Sequence, residues 1–196
     1  PVFLKLMAEG KPAHGSTPWD GLDANEMLMK TIANLRKFYP YFDIKKGQPK
    51  NTWIDTMHVA KISGGEVSNI IAKHAEALLD VRLVETSSVK DLEKNIKASL
   101  AEGVTYKIVS SSTPVVMAED NPQIMAYKAF AEQIMGQKID FQQIGGATDA
   151  RLFAEKGATV IMHSGTGEGM HADGEYVVLK TVEDLAKLQI EYLKTL

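Results

Sequence analysis

The feature that most constrains the fold is the order of strand-like and helix-like hydrophobic patterns in the first 110 residues. Apolar residues alternate along 2–8 and again along 75–84, which is the period of a half-buried β-strand. Shorter strand-like stretches lie at 53–62 and 104–108, and helical patterns lie between the first two strands and before the last. The resulting order is β-α-β-β-α-β. It predicts a ferredoxin-like α+β domain, in which two helices cover one face of a single sheet.

The two helices of this domain have recognisable limits. The first is predicted over 22–38 and the second over 88–101, where the Ser88 side chain can cap the N-terminus. Gly103 follows the second helix and is expected to stop it. A polar connection is predicted at 43–51, between the first helix and the second strand.

The second half of the chain has a different order, α-β-α-β-α. Asn121 and Pro122 are typical of a helix start, and Thr181 is predicted to cap the final helix. Two short strands do not make a stable parallel layer, so we expect this half to be the tail of a larger α/β sheet. The predicted fold class is therefore α/β, with domains at 1–112 and 113–196. The predicted elements of the second half are strands at 139–142 and 158–162 and a helix at 148–156.

Composition limits the function. The chain has 196 residues with 22 Lys+Arg and 25 Asp+Glu, a formal net charge of −3. This balance disfavours a nucleic-acid partner or a membrane surface, and no apolar run approaches the roughly 18 residues of a membrane span. Cys is absent, so disulfides and thiolate chemistry are excluded and a metal would need His and carboxylate ligands. We expect a cytoplasmic protein.

The five histidines differ in their surroundings. His14 and His171 lie in loops rich in Gly and small polar residues, which favours a role as a metal ligand or hydrogen-bond donor. The alternative for each is an ordinary surface histidine. His58 and His74 lie in or beside strands and are interpreted as structural, whereas His163 ends a predicted strand and has no assigned role.

Two further features could bind an anion. Arg82 projects from the strand face opposite the apolar one, where it could hold a carboxylate through two hydrogen bonds or pair with Asp80 two residues away. Gly145 and Gly146 form a turn that could present backbone N–H groups at a helix N-terminus. Asp149 or Thr148, just beyond the turn, could instead cap that helix.

Five short motifs follow one another along nearly the whole chain. They are residues 10–18, 64–71, 80–82 and 145–151, and then His171 with Glu175 four positions later. In this order and spacing they resemble the M20 family of zinc peptidases and deacylases, which includes succinyl-diaminopimelate desuccinylases, acetylornithine deacetylases and carboxypeptidase G-type enzymes. Gly165-Thr166-Gly167 stands where that family usually has Gly-Pro-Gly, which blurs the assignment to a subfamily.

The resemblance implies a division of parts. Residues 1–112 are similar to the family's lid, or dimerisation, domain, and 113–196 to the C-terminal segment of its catalytic domain. The family's N-terminal segment carries most metal ligands and the general base, and it is not matched here. The resemblance therefore implies a homodimer joined through the lid domain, and a chain that is inactive by itself.

The resemblance also implies roles for individual residues. His14 matches the lid histidine that stabilises the oxyanion in the active site of the other subunit, and His171 matches a metal ligand. The remaining matched residues would bind substrate, including its free carboxylate: Asn69, Arg82, Gly145, Gly146 and Thr148.

The implied reaction is zinc-dependent hydrolysis of the amide bond of N-acyl amino acids, of the deacylase or desuccinylase kind. Two zinc ions would bind in the complete enzyme, with cobalt or manganese as alternative metals. The substrate would be a small molecule with a free carboxylate. Two other functions remain open: an M20 dipeptidase or carboxypeptidase, and a non-catalytic dimerisation module.

Overall fold

A computed structural model describes residues 1–40 and 53–196. The chain divides into two compact units, Pro1–Pro114 and Val115–Leu196. The polar connection predicted at 43–51 lies outside the described residues.

The first unit is a four-stranded antiparallel sheet with two helices, and its strand order is β2-β3-β1-β4. The predicted β-α-β-β-α-β order is confirmed. Its elements are β1 (Val2–Glu9), α1 (Ala24–Leu35), β2 (Thr56–Gly64), β3 (His74–Arg82), α2 (Val89–Ser99) and β4 (Val104–Ser111).

Strand β1 lies at the centre of the sheet and carries the strictest alternation of burial. Leu4 and Leu6 are fully buried, and they pair across the sheet with Leu79 and Ala77 of β3. These side chains belong to one core cluster that includes the apolar stripes of both helices, such as Leu28, Leu35, Leu92 and Ile96. The period-two pattern of the sequence thus fixes which sheet face the helices cover.

The helices of the first unit begin at side-chain caps. The Asp23 carboxylate accepts a hydrogen bond from the Asn25 backbone N–H (2.8 Å), so α1 begins at Ala24. The Ser88 side chain accepts one from the Asp91 N–H (3.1 Å), which confirms the predicted cap of α2. Each cap satisfies a helix-end donor that has no partner within the helix.

The second unit contains three helices and a two-stranded hairpin. Asn121 caps its first helix and Gly136 ends it with a φ of 66°, as the sequence predicts. The elements are α3 (Pro122–Met135), α4 (Arg151–Ala154), β5 (Gly167–Glu168), β6 (Tyr176–Val177) and α5 (Leu179–Leu193).

Several element predictions for the second unit are wrong. Residues 139–142 and 158–162 form no strand. A strand requires a hydrogen-bonded neighbour, and among residues 115–196 the paired strands are β5 and β6. The helix predicted at 148–156 is the single turn α4. Thr181 is not the N-cap of α5, because its hydroxyl donates to the Val178 carbonyl (2.7 Å) from inside the first turn.

No helix within residues 1–40 and 53–196 combines the length and the hydropathy required to cross a bilayer.

Candidate functional site

Two loops meet at one end of the first unit and bring His14 beside Asn69. The loops follow β1 and precede β3, whose ends pair at Glu9 and His74. The Gly15 N–H donates to the Asn69 carbonyl (2.8 Å), and the Ile71 N–H donates to the Ala13 carbonyl (2.8 Å). His14 itself forms an isolated bridge with Ile70. Short antiparallel pairing therefore holds together two of the residues singled out in the sequence.

The His14 imidazole is exposed, but its orientation is fixed locally. Its Nδ1 lies 2.8 Å from the Ser16 hydroxyl and 3.2 Å from the Ser16 backbone nitrogen. The Thr17 N–H donates to the His14 carbonyl (2.9 Å), which closes a tight backbone turn over residues 14–17. The contact with Ser16 was missed in the sequence reading, although Ser16 belongs to the same motif, because spacing alone does not show which neighbour meets a ring nitrogen.

An open cleft of about 580 Å³ lies between the same two loops. Asn25 lines it, and its side chain packs directly on Gly64: a Cβ at Gly64 would lie 2.0 Å from the Asn25 Oδ1. The Gly64-Gly65 step belongs to the motif at 64–71, and its contact with Asn25 determines the shape of the cleft. Any side chain at position 64 would displace Asn25.

Arg82 lies at the opposite end of β3. It lies eight positions after His74, a span of about 26 Å at the usual strand rise. Its Nε and Nη2 donate to the two carboxylate oxygens of Asp80, each at 2.7 Å. Within the first unit of a single chain, Arg82 therefore lies far from His14 and Asn69.

The Asp80–Arg82 pair is not an ordinary surface ion pair. The Asp80 side chain is only 9% exposed, and that of Arg82 is 33% exposed. A carboxylate this buried requires a compensating partner, and the bidentate contact supplies it. Arg82 thus has a structural role whether or not it binds substrate.

In the second unit, His171 lies in the loop between β5 and β6. Among the described residues, His171 is the one residue other than glycine whose φ is positive (61°). Its backbone N–H points to a Glu175 carboxylate oxygen at 3.4 Å, and its side chain is exposed. A left-handed conformation at a residue other than Gly costs energy and is concentrated at functional positions, which fits the role expected for His171.

The turn at Gly145 and Gly146 leads to Thr148, whose contacts are local. The Thr148 hydroxyl accepts from the Ala150 N–H (3.2 Å), and its carbonyl accepts from the Arg151 guanidinium (2.9 Å). A Cβ at either glycine would meet nothing within 4 Å. Space is therefore available above the two glycines, while Thr148 already shapes the turn into α4.

Two other histidines have structural partners. The His163 Nδ1 lies 2.9 Å from the Tyr127 hydroxyl, and Tyr127 stacks edge-on against Tyr192. Burial raises the pKa of the Tyr127 phenol above its ordinary value. His74 contacts the Glu9 carboxylate at 2.7 Å on the surface.

No group of three or more His, Asp or Glu side chains converges within residues 1–40 and 53–196. His171 and its neighbour Glu175 do not amount to the four ligands that a zinc ion ordinarily takes. These residues do not by themselves form a metal centre, and His171 would supply one ligand to a site completed by others.

Comparison with known proteins identifies the family. The peptidase dimerisation domain of M20 enzymes matches residues 2–104, more than half of the chain. The chain belongs to the M20 family. The resemblance drawn from the five motifs is therefore confirmed, and membership of this family of metallopeptidases implies the use of a divalent metal.

Individual relatives match the chain over different lengths. A succinyl-diaminopimelate desuccinylase from Wolinella succinogenes is 26% identical over 192 residues, covering 96% of this chain and 51% of the relative. A probable carboxypeptidase from Aspergillus flavus is 35% identical over 82 residues, covering 41% of this chain and 20% of the relative. The crystal structure of a tripeptidase from Staphylococcus aureus shares the fold, with a TM-score of 0.75 at 18% identity, covering 97% of this chain and 50% of that one. The chain spans about half the length of the desuccinylase it matches.

Proposed function

We propose that the protein acts as a zinc-dependent amidohydrolase that cleaves the amide bond of N-acyl amino acids, of the deacylase or desuccinylase type. The observation that carries the proposal is the match to a desuccinylase over 96% of the chain. The reaction requires residues beyond those described, because the described residues form no complete metal site. We expect the protein to act in the cytoplasm.

His14 is proposed as the donor to the oxyanion that forms when the amide carbonyl is attacked. A preplaced donor that meets this charge stabilises the transition state more than the substrate. Its exposed ring, held on a turn that is hydrogen-bonded to the Asn69 loop, supports this role. An exposed imidazole in this position is accessible to the active site of a second subunit.

Asn69 and Arg82 are proposed to bind the substrate carboxylate. Because about 26 Å of strand separates the two ends of β3, the two residues of one subunit cannot hold the same carboxylate. A two-fold homodimer joined through the first units could bring His14 and Asn69 of one subunit to the Arg82 of the other. The opposite placement of these residues therefore supports the proposed dimer.

In the second unit, His171 is proposed as a ligand to one of two zinc ions, with cobalt or manganese as alternatives. Gly145, Gly146 and Thr148 are proposed to line the substrate site, where the open space above the glycines accommodates a substrate backbone. Metal analysis of the full-length protein by mass spectrometry, with and without His171→Ala, tests the metal assignment.

The dimer proposal has a direct test in the full-length enzyme. His14→Ala should lower kcat by about 10²–10³-fold with metal content retained, whereas His171→Ala should lose metal. Mixed in equal amounts and allowed to exchange subunits, the two inactive variants should regain up to about one quarter of wild-type activity, because half of randomly paired dimers carry one intact site. No recovery, with exchange verified by native mass spectrometry, would show that His14 does not act across subunits.

A substrate panel separates the alternatives. The deacylase proposal expects turnover of N-succinyl and N-acetyl amino acids in preference to dipeptides. The opposite preference would favour the dipeptidase or carboxypeptidase function, to which the 82-residue match with a probable carboxypeptidase points. Absence of turnover by a metal-loaded, full-length dimer would favour a non-catalytic dimerisation role.

Arg82 is best tested with a variant that preserves its charge. Arg82→Ala leaves the buried Asp80 carboxylate without a major partner, so loss of folding would hide any kinetic effect. Arg82→Lys retains the charge but loses the planar two-point contact. We expect Arg82→Lys to lower kcat/KM by an amount equivalent to about 2 kcal/mol of transition-state stabilisation, the usual size of a lost charge-assisted contact. The protein should still unfold cooperatively. An unchanged kcat/KM would show that Arg82 pairs with Asp80 and does not bind substrate.

A further inference from the structure

We propose that Ser16 is a positioning residue that fixes the tautomer of the His14 imidazole, so that the ring proton is held on Nε2. Neutral histidine carries one ring proton, on Nδ1 or on Nε2, and the two forms present opposite hydrogen-bonding groups. Only the Nε2–H form lets Nδ1 accept while Nε2 donates.

The backbone of Ser16 decides between the two forms. The Ser16 backbone N–H donates a hydrogen bond to the His14 Nδ1, with an N···N distance of 3.2 Å. A backbone N–H can only donate, so the nitrogen that it meets must carry a lone pair. The Ser16 hydroxyl, 2.8 Å from the same nitrogen, then donates as well, because Nδ1 has no proton to give.

The geometry that brings Ser16 to the ring is held by other contacts. The Thr17 N–H donates to the His14 carbonyl, and the Gly15 N–H between them donates to the Asn69 carbonyl. The serine side chain therefore sits on a turn that the loop pairing already fixes. The hydroxyl is the shorter of the two contacts to Nδ1, and it is the one that a side-chain substitution removes.

The catalytic meaning of this arrangement rests on the proposed function. An oxyanion donor needs an N–H directed outward before the charge develops, since reorientation during the reaction would cost part of the stabilisation. With Nδ1 occupied by Ser16, the exposed Nε2–H of a neutral ring is available for that purpose. Ser16 thereby acts through His14 and does not itself touch the substrate.

The tautomer can be measured without any enzymatic activity. The probe is the 196-residue chain labelled with ¹⁵N in its histidines, studied by long-range ¹H–¹⁵N correlation at alkaline pH, where imidazoles are neutral. His14→Gln assigns the signals. Three variants are compared: Ser16→Ala, which removes the hydroxyl; Ser16→Thr, which restores it; and Thr17→Val, which removes a neighbouring hydroxyl that faces the His14 carbonyl at 3.4 Å instead of the ring.

We expect wild-type His14 to show an unprotonated Nδ1 and a protonated Nε2. Ser16→Ala keeps the backbone N–H contact and loses only the shorter hydroxyl contact. The two ¹⁵N shifts should therefore move part of the way toward each other, as the Nδ1–H form becomes partly populated, while Ser16→Thr and Thr17→Val remain close to wild type. A protonated Nδ1 in the wild type, or identical His14 shifts in Ser16→Ala, would overturn the inference.

In the full-length enzyme, Ser16→Ala should lower kcat about five- to tenfold with KM unchanged, a fraction of the loss from removing the donor itself. A confirmed tautomer shift in a protein that turns over no N-acyl amino acid would reject the proposed function and leave the role of Ser16 intact.

Discussion

The two units of this chain bury their apolar residues to very different degrees. In the first, the buried residues of four strands and two helices form one cluster. In the second, the buried apolar residues are Ile124, Ala131 and Leu188, while large side chains such as Phe153 (66%) and Leu179 (72%) are exposed. Burial of apolar surface is the main stabilising contribution to folding. The difference indicates that the first unit contains the elements that cover its own hydrophobic faces, and that the second does not.

Glycine environments show the same difference. A Cβ at Gly10 would lie 2.1 Å from the Leu22 carbonyl oxygen and 2.9 Å from both the Ala24 nitrogen and the Ala72 carbonyl oxygen. A Cβ at Gly146 would meet nothing within 4 Å. The loops of the first unit are therefore packed backbone against backbone, whereas the proposed substrate turn of the second unit is open.

The largest expected effect is the outcome of separating the units. A fragment of residues 1–114 should fold alone and unfold cooperatively, because its core cluster is internal. A fragment of 115–196 should lack fixed tertiary structure, since its few buried side chains cannot offset the loss of chain entropy. Near-ultraviolet circular dichroism and amide hydrogen exchange measure both outcomes.

The control is the intact 196-residue chain, whose slowest-exchanging amides should lie in β1 and β3 of the first unit. Comparable protection in α3 and α5 of the isolated second fragment would show that exposure of apolar side chains is a poor guide to autonomy in this protein.

The same contrast explains which parts of the fold could be predicted from the sequence. In the first unit the strand and helix periods reflect a core formed by the chain itself, so the order of elements and the Ser88 cap were predicted correctly. In the second unit, 139–142 and 158–162 have strand-like composition without a neighbouring strand within 115–196, so composition alone misleads. Helix ends fixed by Asn121 and Gly136 are local and were predicted correctly.

The candidate site was predictable only as a set of residues. The sequence motifs indicated His14, Asn69 and Arg82, but not that the first two adjoin while the third lies at the far end of β3. That separation follows from strand register, which a motif does not encode. The side-chain partners of Arg82 and His14 differ in how far the sequence predicts them. Asp80 lies two positions from Arg82 on the same strand face, so its contact was predicted. The contact of Ser16 with His14 depends on a tight turn, which the sequence spacing does not show.

Removal of a core side chain should have the next largest effect. Leu79 is fully buried at the centre of the first unit, so Leu79→Ala should lower the free energy of unfolding by about 3 kcal/mol, from lost burial plus a residual cavity. Leu193→Ala, at a leucine of the second unit that is 67% exposed, should change it by less than about 0.5 kcal/mol. Urea denaturation of the full chain measures both, and equal effects would contradict the inferred difference in packing.

Added methyl groups should distinguish the two glycine environments. Gly10→Ala forces a Cβ against three backbone atoms and should cost about 2 kcal/mol, because backbone cannot yield as a flexible side chain does. Gly146→Ala should leave the unfolding free energy nearly unchanged. In the full-length enzyme, however, it should raise KM if the open space above the turn is occupied by substrate. A stable Gly10→Ala variant would show that the two loops can separate without cost.

The smallest expected effect is at His171, and it tests whether the strain in the second unit belongs to function. The φ of 61° is tolerated by Asn, so His171→Asn should change the free energy of unfolding by less than about 0.5 kcal/mol. A β-branched residue strongly disfavours this conformation, so His171→Val should cost about 1–2 kcal/mol through the backbone alone. Thermal unfolding of the full-length protein separates the two variants, while both should lose metal because neither Asn nor Val supplies an imidazole. If His171→Asn retained its metal, the positive φ would be a property of the hairpin turn rather than of a ligand. If both variants were equally stable, the loop would be too loose to hold His171 in one conformation.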